Sequence, residues 1–351
     1  MMHAARRSAT AAAAFAALIA TTTMADAQAS IRPADWAAYR QSFVAPDGRV
    51  VDDGNGNISH SEGQGYGLLL ATLADDMAAF DLIWSFTRTE LLLRDDGLAV
   101  WKWDPAATPH VTDPNNATDG DILIAYALTL AGQQWQRPEL LASSSTMATA
   151  IAELIGTSQG RTVIMPGAAG YGTDERPDGP VVNLSYWIYE AFPLLAEIAP
   201  ATDWQAVSDD GIALLRQSLL GPRRLPPEWL SIKTRPRPAE GFPGEFGYNA
   251  LRIPLYLIRA GVTDADLLRT LADGMSTETG GVAIVDIATG EVTTTLTDPG
   301  YAIIPALVGC VLDATPIPPA LRVFEPTLYY PSTLHLLSLS FVTRAHPECL
   351  G

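Results

Sequence analysis

The stretch TDGDILIAYALTLAGQQ, residues 118–134, decides how this chain folds. Two aspartates, Asp119 and Asp121, flank Gly120 and lead into an apolar run too long for a strand. Thr118 or Asp119 can cap such a run, because a short polar side chain satisfies amides that the first helical turn leaves free. The pattern predicts a helix over residues 119–134. Similar text predicts helices over 33–44, 65–74, 78–93, 138–155, 186–197, 204–219, 248–260, 264–273, 300–311, 318–324 and 332–343. Asp264 is placed to cap one of them, and Gly221 or Gly261 to close one. Strand-like text is sparse: LAVWKW at 98–103, and a hairpin over 281–296 turning at Ala288-Thr289-Gly290. Roughly twelve helices, with no flexible linker and no fixed repeat, predict a single all-α domain over residues 30–351, built as a closed ring of helix pairs. A βα barrel needs eight alternating strands, and the text does not supply them.

The first residues read differently. Arg6 and Arg7 precede an alanine-rich run over 11–24 and a small-x-small site at Ala27-Gln28-Ala29. This predicts an export signal over residues 1–29, cut before Ser30, and a periplasmic or secreted protein. An uncleaved anchor is the alternative, but the run is short for a membrane span and diluted by threonines. No membrane insertion is expected after cleavage. The sequence carries 22 basic and 39 acidic side chains, a net charge of −17, which repels nucleic acid and anionic lipid. The two cysteines, Cys310 and Cys349, either bridge in an oxidising compartment or stay as buried thiols.

The chemistry centres on SHSEGQGYG, residues 59–67. Gly63, Gly65 and Gly67 invite a phosphate-loop reading, but Glu62 would repel phosphate and the loop's lysine is missing. Glycines are poor helix formers in a first turn, so they indicate packing against another backbone or open space for a ligand. A lone Glu62 there reads as a helix cap; a catalytic acid would need burial to stay protonated against the helix dipole. Asp119 and Asp121 are close enough to raise one another's pKa or to hold a sugar hydroxyl. Trp101 and Trp103 alternate along strand-like text, so both rings are expected to point one way. Tyr66, Tyr171, Tyr186, Trp187, Tyr189 and Tyr248 add rings that serve either a core or a sugar-stacking cleft. No GxSxG, GxxxxGK[ST] or HExxH motif occurs, and the histidines have no metal spacing. Carboxylates and aromatics without metal or nucleotide motifs fit glycoside hydrolysis, with no cofactor.

SEGQGYG together with ATDGDILIAYALTLAGQQW resembles glycoside hydrolase family 8, in particular the endoglucanases encoded beside bacterial cellulose synthases. The resemblance implies an (α/α)6 barrel with a few short strands near a groove, acting on β-1,4-glucan polysaccharide with inversion, in partnership with the cellulose synthase machinery. It puts Glu62 at the proton donor and Asp119 at the residue that grips the distorted sugar. Trp101 and Trp103 fall at aromatic platforms, and Tyr186 and Tyr248 at further groove positions. The sequence departs from the family in GYNALRIP, residues 247–254: Asn249 stands where many members have the aspartate that activates water. An amide orients water but takes up no proton at neutral pH. Asp119, Asp121, Asp174, Asp178 and Glu245 are the alternatives for the base, and Arg252, one turn on, is placed to keep an acidic neighbour charged. The same chemistry on xylan or chitosan, or a glucan-binding accessory protein without catalysis, remain the rival readings.

Overall fold

The computed structural model describes residues 29–351; the expected export signal lies outside them, save for Ala29. Among the described residues there are eleven α-helices. They are α1 (Pro33–Phe43), α2 (Ser61–Leu73), α3 (Met77–Phe86), α4 (Thr118–Gln134), α5 (Pro138–Ala152) and α6 (Phe192–Ile198), then α7 (Trp204–Gln217), α8 (Ile253–Arg259), α9 (Ala265–Met275), α10 (Pro299–Asp313) and α11 (Tyr329–Ala345). Short 3₁₀ turns at Leu184–Tyr186 and Ala250–Arg252 precede α6 and α8.

Two kinds of helix sort into two layers. In α2 every residue except Glu62 is buried, and in α8 every residue except Arg259. Helices that are apolar all round belong inside. By contrast α7 buries one stripe, Trp204, Val207, Gly211, Leu214 and Leu215, at the three-to-four spacing of an amphipathic helix. The inner elements form a circuit: α11 packs on α2, α2 on α4, α4 on α6 and on the turn Leu184–Tyr186. That turn meets Ala250–Arg252, which runs into α8; α8 packs on α10, and α10 on α11. Outside it, α1 covers α11, α3 covers α2, α5 covers α4 and α6, α7 covers α6, and α9 covers α8 and α10. This is the all-α (α/α)6 arrangement expected from the text.

Several boundaries differ from expectation. Pro193 and Pro254 sit in the first turns of α6 and α8, where a missing amide hydrogen costs nothing, so both helices start later than predicted. The helix expected over 318–324 is only a 3₁₀ turn, Pro319–Leu321. α2 begins four residues earlier than predicted and absorbs Glu62 and Gly63. Asp264 does cap α9, accepting from Leu267 N at 3.2 Å, and Gly261 (φ +76°) follows α8.

Short strands tie the loops together: β1 (Ser59–His60) with β2 (Lys102–Trp103), and β3 (Ile155–Ser158) with β4 (Arg161–Ile164). A second set is β5 (Val181–Val182), β6 (Leu230–Ser231) and β7 (Arg237–Pro238); a third is β8 (Glu245–Phe246), β9 (Val282–Asp286) and β10 (Val292–Leu296). The expected hairpin is β9–β10, and of LAVWKW only Lys102–Trp103 is strand. Cys310 and Cys349 are bonded, joining α10 to the 3₁₀ turn Pro347–Leu350. No helix among the described residues is long and apolar enough to cross a membrane.

Candidate active site

Helices α2 and α4 start side by side, and glycines make that possible. A Cβ on Gly120 would lie 2.1 Å from Ser61 Oγ and 2.7 Å from Glu62 N, and one on Gly65 would lie 2.5 Å from Leu123 Cβ. One on Gly67 would lie 2.6 Å from Val50 Cγ2. Of the two readings for these glycines, Gly65 and Gly67 serve close packing of the protein against itself rather than room for a ligand. The consequence is functional: the first turns of α2 and α4 bring Glu62 and Asp119 together.

Neither carboxylate caps its helix. His60 caps α2, its Nδ1 accepting from Gly63 N at 2.9 Å while Nε2 pairs with Asp52 at 3.2 Å. At α4 the N-cap is Ala117, so the expected cap by Thr118 or Asp119 does not form. Thr118 Oγ1 instead donates to Met165 O at 2.7 Å. The helix starts one residue earlier than predicted, which leaves Asp119 free to face Glu62.

A single buried cation joins them. Arg252 Nη1 donates to Glu62 Oε2 and Nη2 to Asp119 Oδ2, while Nε reaches Ser185 O at 3.4 Å. Its guanidinium lies 5.7 Å from the centre of the Tyr256 ring. Burial raises the Glu62 carboxyl, but Arg252 and His60 outweigh it and hold it below the ordinary value. Asp119 is pushed up to about 7, chiefly by burial, with Arg252 opposing and the negative Glu62 adding to the rise. Of the two acids, Asp119 therefore holds a proton more readily than Glu62.

Both acids open into a cavity of about 570 Å³, a size typical of ligand sites. Trp101, Tyr186, Tyr248 and Asn249 line it, together with Asp52, His60, Tyr301, Tyr329 and Tyr330. Ser61 Oγ and Tyr329 OH, also on its wall, are buried without a hydrogen-bond partner among the described residues. Unpaired buried hydroxyls beside aromatic rings suit a hydroxyl-rich ligand. At the rim Tyr186 meets Trp229 edge-on, and Trp229 stacks between Tyr171 (5.5 Å) and Phe242 (4.6 Å).

The remaining sequence candidates lie elsewhere. Trp103 does not line the cavity; it packs beside His110 (4.1 Å) and Phe86 (5.7 Å), with Nε1 donating to Glu90 at 3.2 Å. The two tryptophans diverge because residue 101 lies outside the strand, its amide bonded to Asn115 O. Asp121 is wholly buried on the far side of α4, accepting from Ala99 N and Asn116 Nδ2 at 2.8 Å each. Asp178 braces a loop through Glu240 N at 2.7 Å, and Asp174 is exposed. Neither Glu245, in β8, nor Glu228 is among the residues that line the cavity. Reading from sequence missed Asp52, Ser185, Trp229, the tyrosines of TLYYP (residues 327–331) and Glu228. The paired prolines and tryptophan around Glu228, in LPPEWLS at residues 225–231, were the available signal for a shaped loop.

The model of the family described as glycosyl hydrolases family 8 matches residues 9–343. A relative named probable endoglucanase, from Novacetimonas hansenii, is 35% identical over 335 residues, 93% of this chain and 95% of its own. The crystal structure of endoglucanase Cel10 from Klebsiella pneumoniae superimposes with a TM-score of 0.78 at 33% identity, covering 87% of this chain and 97% of its own. That of endo-β-1,4-glucanase CMCax from Acetobacter xylinum gives 0.77 at 34% identity, covering 88% and 96%. The chain belongs to glycosyl hydrolase family 8.

Proposed function

We propose that this glycoside hydrolase is an endo-β-1,4-glucanase that cuts cellulose-type chains with inversion at the anomeric carbon. The observation that carries this reading is the pair Glu62 and Asp119, held by one buried arginine on the wall of an aromatic-lined cavity. A glucan chain presents flat, apolar sugar faces to Trp101, Tyr186 and Tyr248. Two of the relatives above are endoglucanases by name, which supports the same substrate class.

Glu62 is the proton donor in this mechanism. Without sugar a proton rests on Asp119, whose burial favours the neutral form. A sugar hydroxyl that donates to Asp119 stabilises its anion, and the proton passes to Glu62. Glu62 then protonates the glycosidic oxygen as the C1–O bond breaks, while Asp119 and Arg252 fix the distorted sugar. Inversion demands a water on the opposite face, with the acid and base carboxyls roughly 6.5–9.5 Å apart.

Incubating the protein with carboxymethylcellulose and counting new reducing ends tests the reading. Glu62→Gln is expected to lower the rate by a factor on the order of 10²–10⁴. Equal release by both proteins would sink the reading, as would cello-oligosaccharide binding without cleavage, or faster turnover of xylan or chitosan. The export text of residues 1–29 supports a periplasmic or secreted enzyme, and the motif resemblance supports a role beside cellulose synthesis. Sequencing the N-terminus of the exported protein checks the first, with Ser30 expected. Cellulose output of a deletion strain checks the second, and unchanged output would count against it.

A further inference from the structure

Inverting hydrolysis needs a base as well as an acid, and the cavity that holds Glu62 presents an amide at Asn249. Asn249 lines the same cavity as Glu62 and immediately precedes the 3₁₀ turn Ala250–Arg252. In such a turn side chains three apart eclipse, at a rise of about 2 Å per residue, so Asn249 shares a face with Arg252 about 6 Å along. Arg252 meets Glu62 directly, so the turn that carries Asn249 also reaches the acid.

Behind the amide is a carboxylate. Asn249 Nδ2 donates to Glu228 Oε1 at 2.8 Å and its backbone N–H to Oε2 at 3.1 Å. An ionised carboxylate only accepts, so the amide orientation is fixed and the carbonyl Oδ1 is the end left for the cavity. Each Glu228 oxygen has a second acceptor position still available. Gly247 keeps the approach close, since a Cβ there would lie 2.1 Å from Glu228 Oε2. Burial raises the Glu228 carboxyl, with the two bonds from Asn249 opposing, and a raised carboxyl is the stronger base once ionised.

We propose that Glu228 is the general base, with Asn249 Oδ1 orienting the water that Glu228 deprotonates. This assignment rests on the inverting hydrolase reading above. As the water oxygen bonds to C1, one of its O–H bonds breaks and that proton goes to Glu228. The C1–O bond to the leaving sugar breaks, and the leaving oxygen takes the proton of Glu62. One water is consumed, and the two acids return to their starting states by exchanging the proton through solvent.

The test measures kcat/KM on a soluble cello-oligosaccharide across pH for the wild type, Glu62→Gln, Glu228→Gln, Glu245→Gln and the double variant Glu228→Gln/Asn249→Asp. Glu228→Gln is expected to lose a factor on the order of 10²–10⁴ and the acidic limb of its pH profile. The double variant, with a new carboxylate on the wall, is expected to regain at least tenfold. A merely structural Glu228 would leave the acidic limb in place and give no rescue, which would overturn the assignment. So would a Glu228→Gln rate within threefold of wild type, or the large loss appearing in Glu245→Gln instead. Wild-type turnover no greater than that of Glu62→Gln would overturn the hydrolase reading, and the base with it.

Discussion

The two walls of the cavity are built by opposite means. The wall that carries Glu62 and Asp119 consists of two long inner helices, locked together where Gly65 and Gly120 leave no room for a side chain. The second wall is Asn249, just ahead of a 3₁₀ turn, backed by the loop residue Glu228 through two hydrogen bonds across 21 positions of sequence. The first wall is fixed by packing, which tolerates no shift of even one methyl group. The second is fixed by polar contacts. Arg252 belongs to the second wall and grips the first.

Cutting that grip should have the largest effect. Arg252→Met leaves two buried acids without their cation, at a cost of roughly 3–5 kcal/mol in stability. Activity should fall at least as far as in Glu62→Gln, since both acids lose their position. Chemical denaturation with parallel reducing-end assays would read both effects. Arg252→Lys should recover little, because an ammonium cannot bridge two carboxylates as the planar fork does.

Next in size is Gly120→Ala. Its methyl group would collide with Ser61 and push the first turns of α2 and α4 apart, costing about 1–3 kcal/mol. A displacement near 1 Å at the acid should lower kcat by roughly 10²-fold. A normal kcat in a folded variant would show that the packed wall does not set the position of Glu62.

Smaller effects separate the tryptophans. Trp101→Ala removes a ring from the cavity and should raise KM by roughly 3–10-fold, the usual worth of an aromatic contact. Trp103→Ala, outside the cavity, should leave KM nearly unchanged. Steady-state kinetics on cello-oligosaccharides would reveal a reversed order if the groove extends past Trp103 instead.

Asp121 should show itself in stability and not in turnover. Burial pushes its carboxyl up to about 7, opposed by the bonds from Ala99 and Asn116. It keeps its proton in the fold at pH values where the unfolded chain has lost it. Its contribution is therefore complete below about pH 4 and is lost as pH rises towards 7. Melting curves of Asp121→Asn between pH 4 and 7 should be flatter than those of the wild type.

The packed wall was legible in the sequence because its signals are contiguous. Glu62, its glycines and the apolar run of α4 lie within short windows, and helix periodicity makes them readable. The cap at Asp119 misled, since nothing local distinguishes Ala117 as the true cap. The polar wall was legible only as a departure at Asn249. Glu228 is brought to it by tertiary contacts through β8 and the turn after it, and no periodicity reports such a contact. The starts of α6 and α8 were misplaced for a local reason, the prolines of their first turns.

The proposed acid and base imply one stereochemical outcome: water enters opposite the leaving group. Proton NMR of a β-linked cello-oligosaccharide in the first minutes of cleavage reads it directly. The α-anomer of the new reducing end should appear first and relax to the equilibrium mixture by mutarotation. First appearance of the β-anomer would contradict it.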